Sequence, residues 1–340
     1  MSDAIALTGA TGWLGQSVMA MLEEDAPGRR VNALVLPGEA AGLRERFPQL
    51  ALHVVEGDVT DASSVSRLLD GTRDGAVIHA AGVIHPARVS DFDRVNAGGT
   101  RTMLAGAVTA GVRRFVHISS NSPFGLNPSP DDAFRASEPF NPYMGYGKSK
   151  MAAEIAVSGA ASDGGFEAII LRPPWFYGPG QPERQAKFLS MVRSGGFPVP
   201  GDGSQRRSMV YVPDLAAAAI AATRREGTPG AYWIADPTPY ALRDIVLLAQ
   251  QALTEEGFAV KPGYRKVPGA ISSIARRADA VLQSRGRYSA QVHVVGELGT
   301  TIACQVGPAT EALGWTPGGG LVSGMRAAIR DWTARGLTIA

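Results

Sequence analysis

The sequence predicts an α/β chain, a doubly wound parallel sheet with a smaller C-terminal α+β domain over its edge. Three observations predict it. Short apolar runs alternate with helical patterns through the first half of the chain, as repeated β-α-β units do. The first run passes through a glycine-spaced turn directly into a helical pattern. After Arg172 the texture changes to breaker-rich loops and short elements.

Bulk properties narrow the function classes. The 340 residues suit one large domain or two smaller ones, and 45% hydrophobic with 19% charged residues reads as soluble and globular. A formal charge of +2 leaves no nucleic-acid footprint. No signal-type apolar core and no apolar run of about 20 residues is present, so the expected location is cytoplasmic, with no transmembrane segment. Cys304 is the single cysteine and reads as a buried apolar side chain. His53, His79, His85, His117 and His293 lack zinc-type spacing, so no metal site is expected.

Residues 5–7 form the first strand, which runs into Thr8-Gly9-Ala10-Thr11-Gly12-Trp13-Leu14-Gly15 and a helix to about Glu24. Glycines let backbone N–H groups approach a pyrophosphate, and the helix N-terminus favours the anion. That context makes the unit Rossmann-type, although the spacing is G-x-x-G-x-x-G and a plain helix-capping turn is the alternative. Strands follow at 31–36, 52–56, 76–79, 114–118 and 166–171. Helices follow at 61–69, with Asp61 as N-cap, at 92–110, stopped by Gly111, and at 143–160. Parallel sheets bind ligands beyond the carboxyl ends of their strands, where Gly9, Asp58, Ala80, Ser120 and Pro173 converge. Residues 1–175 are read as the nucleotide-binding domain, with segments returning from about 205–235, and 176–340 as the substrate domain. In the latter, residues 270–283 place Ile271, Ile274, Ala275, Ala278, Val281 and Leu282 on one helical face, with Arg276, Arg277 and Asp279 elsewhere. The expectation is that this apolar face packs on the core; membrane docking or cover for a greasy substrate is the minority reading.

Tyr146 and Lys150 lie four residues apart on the 143–160 helix, so both side chains share a face. A cation beside a phenol favours the phenolate, which makes the pair a sensible acid–base unit. Tyr143 has Gly147 at that spacing and no cation, and Lys148 points away.

These segments together resemble the extended short-chain dehydrogenase/reductase family, with its epimerase/dehydratase and 3β-hydroxysteroid dehydrogenase-like branches. The resemblance runs from residue 5 to about 215 through the glycine turn, Gly57-Asp58-Val59-Thr60, His79-Ala80-Ala81-Gly82, Val95-Asn96-Ala97-Gly98-Gly99-Thr100, Ser119-Ser120 with Phe124-Gly125, Tyr146 with Lys150, and Leu171-Arg172-Pro173-Pro174. It implies cofactor contacts from Gly9, Thr11, Gly12, Trp13, Leu14, Gly15, Asp58, Val59, Ala80, Ala81, Gly82, Asn96, Tyr146, Lys150 and Pro173. It implies Tyr146 as general acid–base, Lys150 as its electrostatic partner and ribose ligand, and Ser120 as the group orienting the substrate oxygen. Ser120 is chosen over Ser119 because the aromatic-Gly pair follows it at the family's offset. Asn96 could join a proton relay or brace its helix. Ser122, Trp175 and Arg207 are the implied substrate contacts, with Arg207 on a diphosphate.

Two departures bear on chemistry. The second strand ends in Val35-Leu36-Pro37-Gly38, with neither an acid for ribose hydroxyls nor an arginine for a 2′-phosphate, so NAD and NADP both stand, with a lean to NAD. Ser120-Asn121-Ser122 lacks the Asp and Glu that sugar 4,6-dehydratases typically carry there. The resemblance implies NAD(P)-dependent hydride transfer at a secondary alcohol or ketone. A nucleotide-sugar epimerase or oxidoreductase leads, and a dehydrogenase of a hydrophobic alcohol is the alternative. A nucleotide-sensing protein without turnover is a third reading, and a homodimer is implied.

Overall fold

The computed structural model describes residues 4–224 and 226–339, with the side chain of Arg184 outside the description. Its centre is a seven-stranded sheet. Six strands come in chain order, β1 (Ile5–Thr8), β2 (Arg30–Val35), β3 (Ala51–Glu56), β4 (Ala76–His79), β5 (Arg114–Ile118) and β6 (Glu167–Arg172). The seventh, Gly230–Trp233, returns from late in the chain to pair with β6. Every pairing is parallel, and the spatial order is Gly230–Trp233, β6, β5, β4, β1, β2, β3. The strand order therefore reverses between β1 and β4, which is where such sheets open a crevice at their carboxyl ends.

Both faces are covered, because successive side chains on a strand point to opposite sides. On β1, Ile5 and Leu7 join Leu14, Val18 and Met19 of α1 (Trp13–Asp25) and Leu215 of the helix Val212–Thr223. Ala6 faces the other way, towards α3 (Ala62–Leu68), α4 (Gly99–Ala110) and α5 (Met144–Ser162), which supply Val65, Leu68, Met103, Leu104 and Val157. This is the doubly wound architecture. The short helix α2 (Ala40–Arg46) lies between β2 and β3. Asp61 caps α3 by accepting from the backbone N–H groups of Ser63 and Ser64, and Gly111 ends α4 in the left-handed region at φ 69°.

The expected single helix over 92–110 is divided. Phe92–Gly98 is a π-helical segment that continues as α4. Such insertions are local and common beside functional sites. A separate hydrophobic cluster forms after β6, around Tyr177, Leu189, Val199, Leu253, Met325 and Trp332. Short strand pairs stitch it together: Trp175–Tyr177 with Met209–Tyr211, Pro198–Pro200 with Arg265–Val267, and Arg206–Arg207 with Tyr240–Ala241. Cys304 is buried, and burial pushes its thiol up to about 12.

One expectation is overturned. The helix Ala270–Ser284 exists, but its buried residues are Ser272 and Asp279, while Ile271, Ile274 and Val281 stand exposed. The physical reason is local polarity. Its inner side meets a polar surface, where Asp279 binds His293 and Gln283 accepts from the Gly145 N–H. Apolar side chains have no matching partner there, so the helix turns its hydrophilic face inward.

Candidate active site

The glycine turn occupies the switch point. Gly9, at φ 72°, lies so close to the loop after β4 that an added Cβ would come within 2.9 Å of the Ala80 and Ala81 backbone. Gly15 is tighter still, since its Cβ would fall 2.0 Å from the Gly9 carbonyl oxygen. Only glycine lets helix and turn approach this closely. The Ala81 N–H donates to Thr8 Oγ1 at 3.1 Å, tying the β1 and β4 ends together. Trp13 reaches across the cleft, donating from Nε1 to the Pro179 carbonyl at 2.6 Å and meeting Phe176 edge-on. Leu14 is buried under the turn, and Pro173 is buried at the end of β6. Asp58 closes a turn after β3 by accepting from Thr60 N–H and Oγ1, both at 2.8 Å, and Val59 packs beneath Gly99.

The turn after β2 carries an acid, Glu39, one residue past Val35-Leu36-Pro37-Gly38. Glu39 Oε2 accepts from Thr11 Oγ1 at 2.7 Å and from the Leu36 N–H at 3.3 Å.

Tyr146 and Lys150 lie on the first turns of α5, which begins with Met144 at φ 54°, a left-handed conformation costly for a side chain with a Cβ. Gly147 lets the helix press on the Ser122 carbonyl, which a Cβ would approach to 2.4 Å. The Ser120 hydroxyl lies on the Tyr146 side and favours its phenolate. Ser120 Oγ lies 3.3 Å from Ser122 Oγ, extending a hydroxyl chain. Neighbouring Ser119 turns the other way and donates to Glu154. Burial pushes the Tyr146 hydroxyl up to about 12, with the Ser120 hydroxyl opposing the rise and the Glu297 carboxylate adding to it.

Desolvation of the phenol, rather than the expected lowering by Lys150, sets the direction of the Tyr146 shift. Lys150 Nζ donates to the Ile118 carbonyl at 2.6 Å, and desolvation of the phenol dominates. Burial pulls Lys150 from its ordinary 10.5 down to about 8, against the Glu154 carboxylate. Between those two values the unfolded chain binds more protons than the folded one, so this group's contribution to stability rises with pH across that window. Denaturant unfolding at the two ends of the window should show the gain in the native chain and its loss in Lys150→Met.

Asn96 is clasped rather than free. Its Oδ1 accepts from Val83 N–H at 2.8 Å, and its Nδ2 donates to Val83 O and Ser149 Oγ at 3.0 Å. Those bonds brace the π-helical segment against the loop after β4 and against α5. Beneath the cleft, His79 holds Thr8 and Thr100 hydroxyls at 2.8 and 3.0 Å, and burial keeps its ring neutral, near 3.

Across the cleft stands Arg207, fully buried at 0% exposure. Its Nη2 donates to the Glu297 carbonyl and its guanidinium lies 4.5 Å above the Trp175 ring, while Nε and Nη1 have no partner among the described residues. Burial lowers it to about 10, still a cation at neutral pH. Beside it runs a polar cluster that the sequence reading did not single out: Asp279 Oδ2 lies 2.7 Å from His293 Nδ1, and Glu297 Oε1, four residues on from His293 along the same helix, lies 3.8 Å from His293 Nε2. Among the described residues no group of acids, His and Cys could hold a metal ion.

A glycine turn at the switch point of a doubly wound sheet, next to a hydroxyl chain and a buried amine, belongs to dinucleotide-dependent enzymes. Residues 5–235 match the NAD dependent epimerase/dehydratase family, and the chain belongs to that family. It is 39% identical to the uncharacterized protein y4nL of Sinorhizobium fredii, over 97% of this chain and 95% of that one. It is 34% identical to the ceramide reductase of Caulobacter vibrioides, over 65% of this chain and 61% of the relative. It is 30% identical to the dTDP-D-glucose 4,6-dehydratase of Mus musculus, over 66% of each. The last two thus match over somewhat less than two thirds of their own length. In fold, the chain aligns with the Bordetella bronchiseptica enzyme WbmH, solved in complex with NAD+, at a TM-score of 0.71 and 21% identity, over 99% of this chain and 100% of the other.

Proposed function

We propose that this protein transfers hydride between NAD and a secondary alcohol or ketone, with a nucleotide sugar as the leading substrate class. The observation that carries the proposal is the placement of Tyr146 beside Ser120 at the carboxyl end of β5, next to the switch point, where the Ser120 hydroxyl favours the Tyr146 phenolate. Bound nicotinamide would supply the hydride donor or acceptor. The protein's own groups handle the oxygen. Tyr146 gives its proton to the substrate oxygen as a carbonyl is reduced and takes it back as an alcohol is oxidised. Ser120 fixes that oxygen by hydrogen bonding, with Ser122 as a further contact. Lys150 is the residue that would leave the Ile118 carbonyl to hold the nicotinamide ribose. Gly9, Thr11, Gly12 and Gly15 would cradle the pyrophosphate, with Trp13, Leu14, Val59, Ala80, Ala81, Gly82 and Pro173 walling the cofactor, Asp58 near its adenine and Asn96 behind. In an epimerase, hydride leaves the sugar, the ketone turns over, and hydride returns to its other face. Residues 1–175, with the segments returning from 205–235, form the cofactor unit of this proposal, and 176–340 the substrate unit.

Glu39 sharpens the lean to NAD. A carboxylate tied to Thr11 suits ribose hydroxyls and repels a 2′-phosphate. Glu39→Gln should reduce the preference for NAD over NADP by about tenfold, the equivalent of 1.4 kcal/mol, read as the ratio of the two dissociation constants.

Arg207 supports the diphosphate. Two unpartnered, buried donors on one planar cation fit phosphate oxygens, with Trp175 backing the guanidinium. Truncating a charge-assisted hydrogen bond costs about 1.5–3 kcal/mol. Arg207→Ala should therefore weaken nucleotide-diphosphate binding by roughly ten- to hundredfold, measured by calorimetry with the substrate nucleotide alone.

A hydrophobic alcohol is the second reading, favoured by the outward apolar face of the helix Ala270–Ser284 and by the ceramide reductase relative. Turnover with UDP- and dTDP-hexoses against sphingoid and sterol alcohols separates the two. A homodimer is also proposed, across exposed Val108 on α4 and Ile155 on α5.

A further inference from the structure

The helix Ala270–Ser284 is inside out. Ile271, Ile274, Ala278 and Val281 recur at i, i+3, i+7 and i+10, which is one stripe of an α-helix. That stripe faces away from the protein, with Ile271, Ile274 and Val281 exposed to 37%, 64% and 50%. The opposite side is polar and engaged. Asp279 pairs with His293, Arg276 donates to the Gly296 carbonyl at 3.1 Å, and Gln283 holds the Gly145 N–H at the head of α5. A surface helix with its apolar side outward exposes a patch that needs a partner.

Charge identifies the partner. From Arg265 to Arg287 six basic side chains are present, Arg265, Lys266, Arg276, Arg277, Arg285 and Arg287, against the single acid Asp279. That acid is fully buried, so the outer surface of the segment carries only positive charge, while the whole chain is nearly balanced at +2. Among the described residues, Arg277, Arg285 and Arg287 form no ion pair. A second copy of this chain fits poorly, because a two-fold contact would bring like charges together. Apolar side chains flanked by arginine match a bilayer surface with anionic headgroups. The helix has 15 residues and so is about 22 Å long, enough to lie in the interface but not to cross it. Among the described residues no helix is long and apolar enough to span a membrane.

We propose that the outward face of the helix Ala270–Ser284 docks this protein on anionic membranes. Ile271, Ile274 and Val281 enter the headgroup–acyl boundary, and Arg277, Arg285 and Arg287 contact lipid phosphates. The same helix holds α5 through Gln283, so docking turns the active-site side of the molecule towards the bilayer.

Co-sedimentation of the full chain with phosphatidylcholine vesicles, with and without phosphatidylglycerol, tests this without any substrate. The expected result is sedimentation at least tenfold greater with phosphatidylglycerol, falling as salt rises. Ile274→Asp should abolish it, and Arg277→Gln with Arg285→Gln should remove the salt dependence. Both variants should keep the far-UV spectrum and NAD affinity of the native chain. No vesicle binding, or equal binding by Ile274→Asp, overturns docking. A change in oligomeric state on Ile274→Asp, with no vesicle binding by the native chain, assigns the face to a second copy and likewise overturns it. Hydride transfer is read separately, so failure of either proposal is distinguishable from failure of the other.

Discussion

Tyr146→Phe lowers turnover by about 10²–10⁴-fold, the usual contribution of a positioned acid–base group. The substitution removes one oxygen and little else. The ring keeps its place against Phe92, whose centroid lies 5.8 Å away, and Ser120 keeps Ser122 at 3.3 Å. Burial holds the native phenol protonated up to about 12, so at neutral pH it is poised as an acid for carbonyl reduction. Loss of that proton removes stabilisation present in the transition state and absent from the ground state, so kcat and kcat/KM should fall together while NAD affinity is kept. Steady-state kinetics with the reactive substrate, alongside nucleotide titration, provide the check. Tyr143 will not substitute for Tyr146. Its hydroxyl is buried without a partner among the described residues, and burial together with Asp279 and Glu297 raises its pKa far above the ordinary value.

Glu154→Gln should cost about 3–5 kcal/mol of stability, the penalty for breaking a buried ion pair from one side. Glu154 is buried in the middle of α5, one helical turn after Lys150, and its Oε2 lies 2.7 Å from Arg172 Nη2. Arg172 also donates to the Ala136 carbonyl at 3.0 Å and stacks 4.3 Å above Phe124. Glutamine keeps the shape but leaves the guanidinium uncompensated. It also weakens the acceptor for Ser119, the residue next to Ser120. Urea unfolding should show the midpoint shift with the slope unchanged. The double variant Glu154→Leu with Arg172→Met should recover much of the loss, because a matched apolar pair removes both desolvation costs.

Much of the sheet was legible because its signals are local. The apolar runs, the helix start at Asp61 and the helix stop at Gly111 follow from spacing and from conformational preference. The glycine turn was readable because strand, turn and helix are contiguous in sequence. Ser120 and Tyr146 lie on neighbouring elements of one β-α-β passage, so their meeting depends on a short connection. What escaped depends on long-range placement. Glu297, Asp279 and His293 reach the cleft from the far end of the chain, where the sequence carries no spacing to connect them with Tyr146. Glu39 lies one residue beyond Val35-Leu36-Pro37-Gly38, and only the fold brings it to Thr11. The helix Ala270–Ser284 shows why periodicity alone fails there: its pattern marks an apolar face but cannot say which side the polar cleft occupies. Four-residue spacing likewise says nothing about the Ile118 carbonyl that holds the Lys150 ammonium.

The most direct test mixes NAD-loaded protein in a single turnover with UDP- and dTDP-hexoses and follows the absorbance of reduced nicotinamide. The expected result is reduction of the cofactor by a nucleotide sugar in the native chain and none in Tyr146→Phe. Cofactor reduction at the native rate in Tyr146→Phe, or no reduction by any nucleotide sugar, would contradict the account.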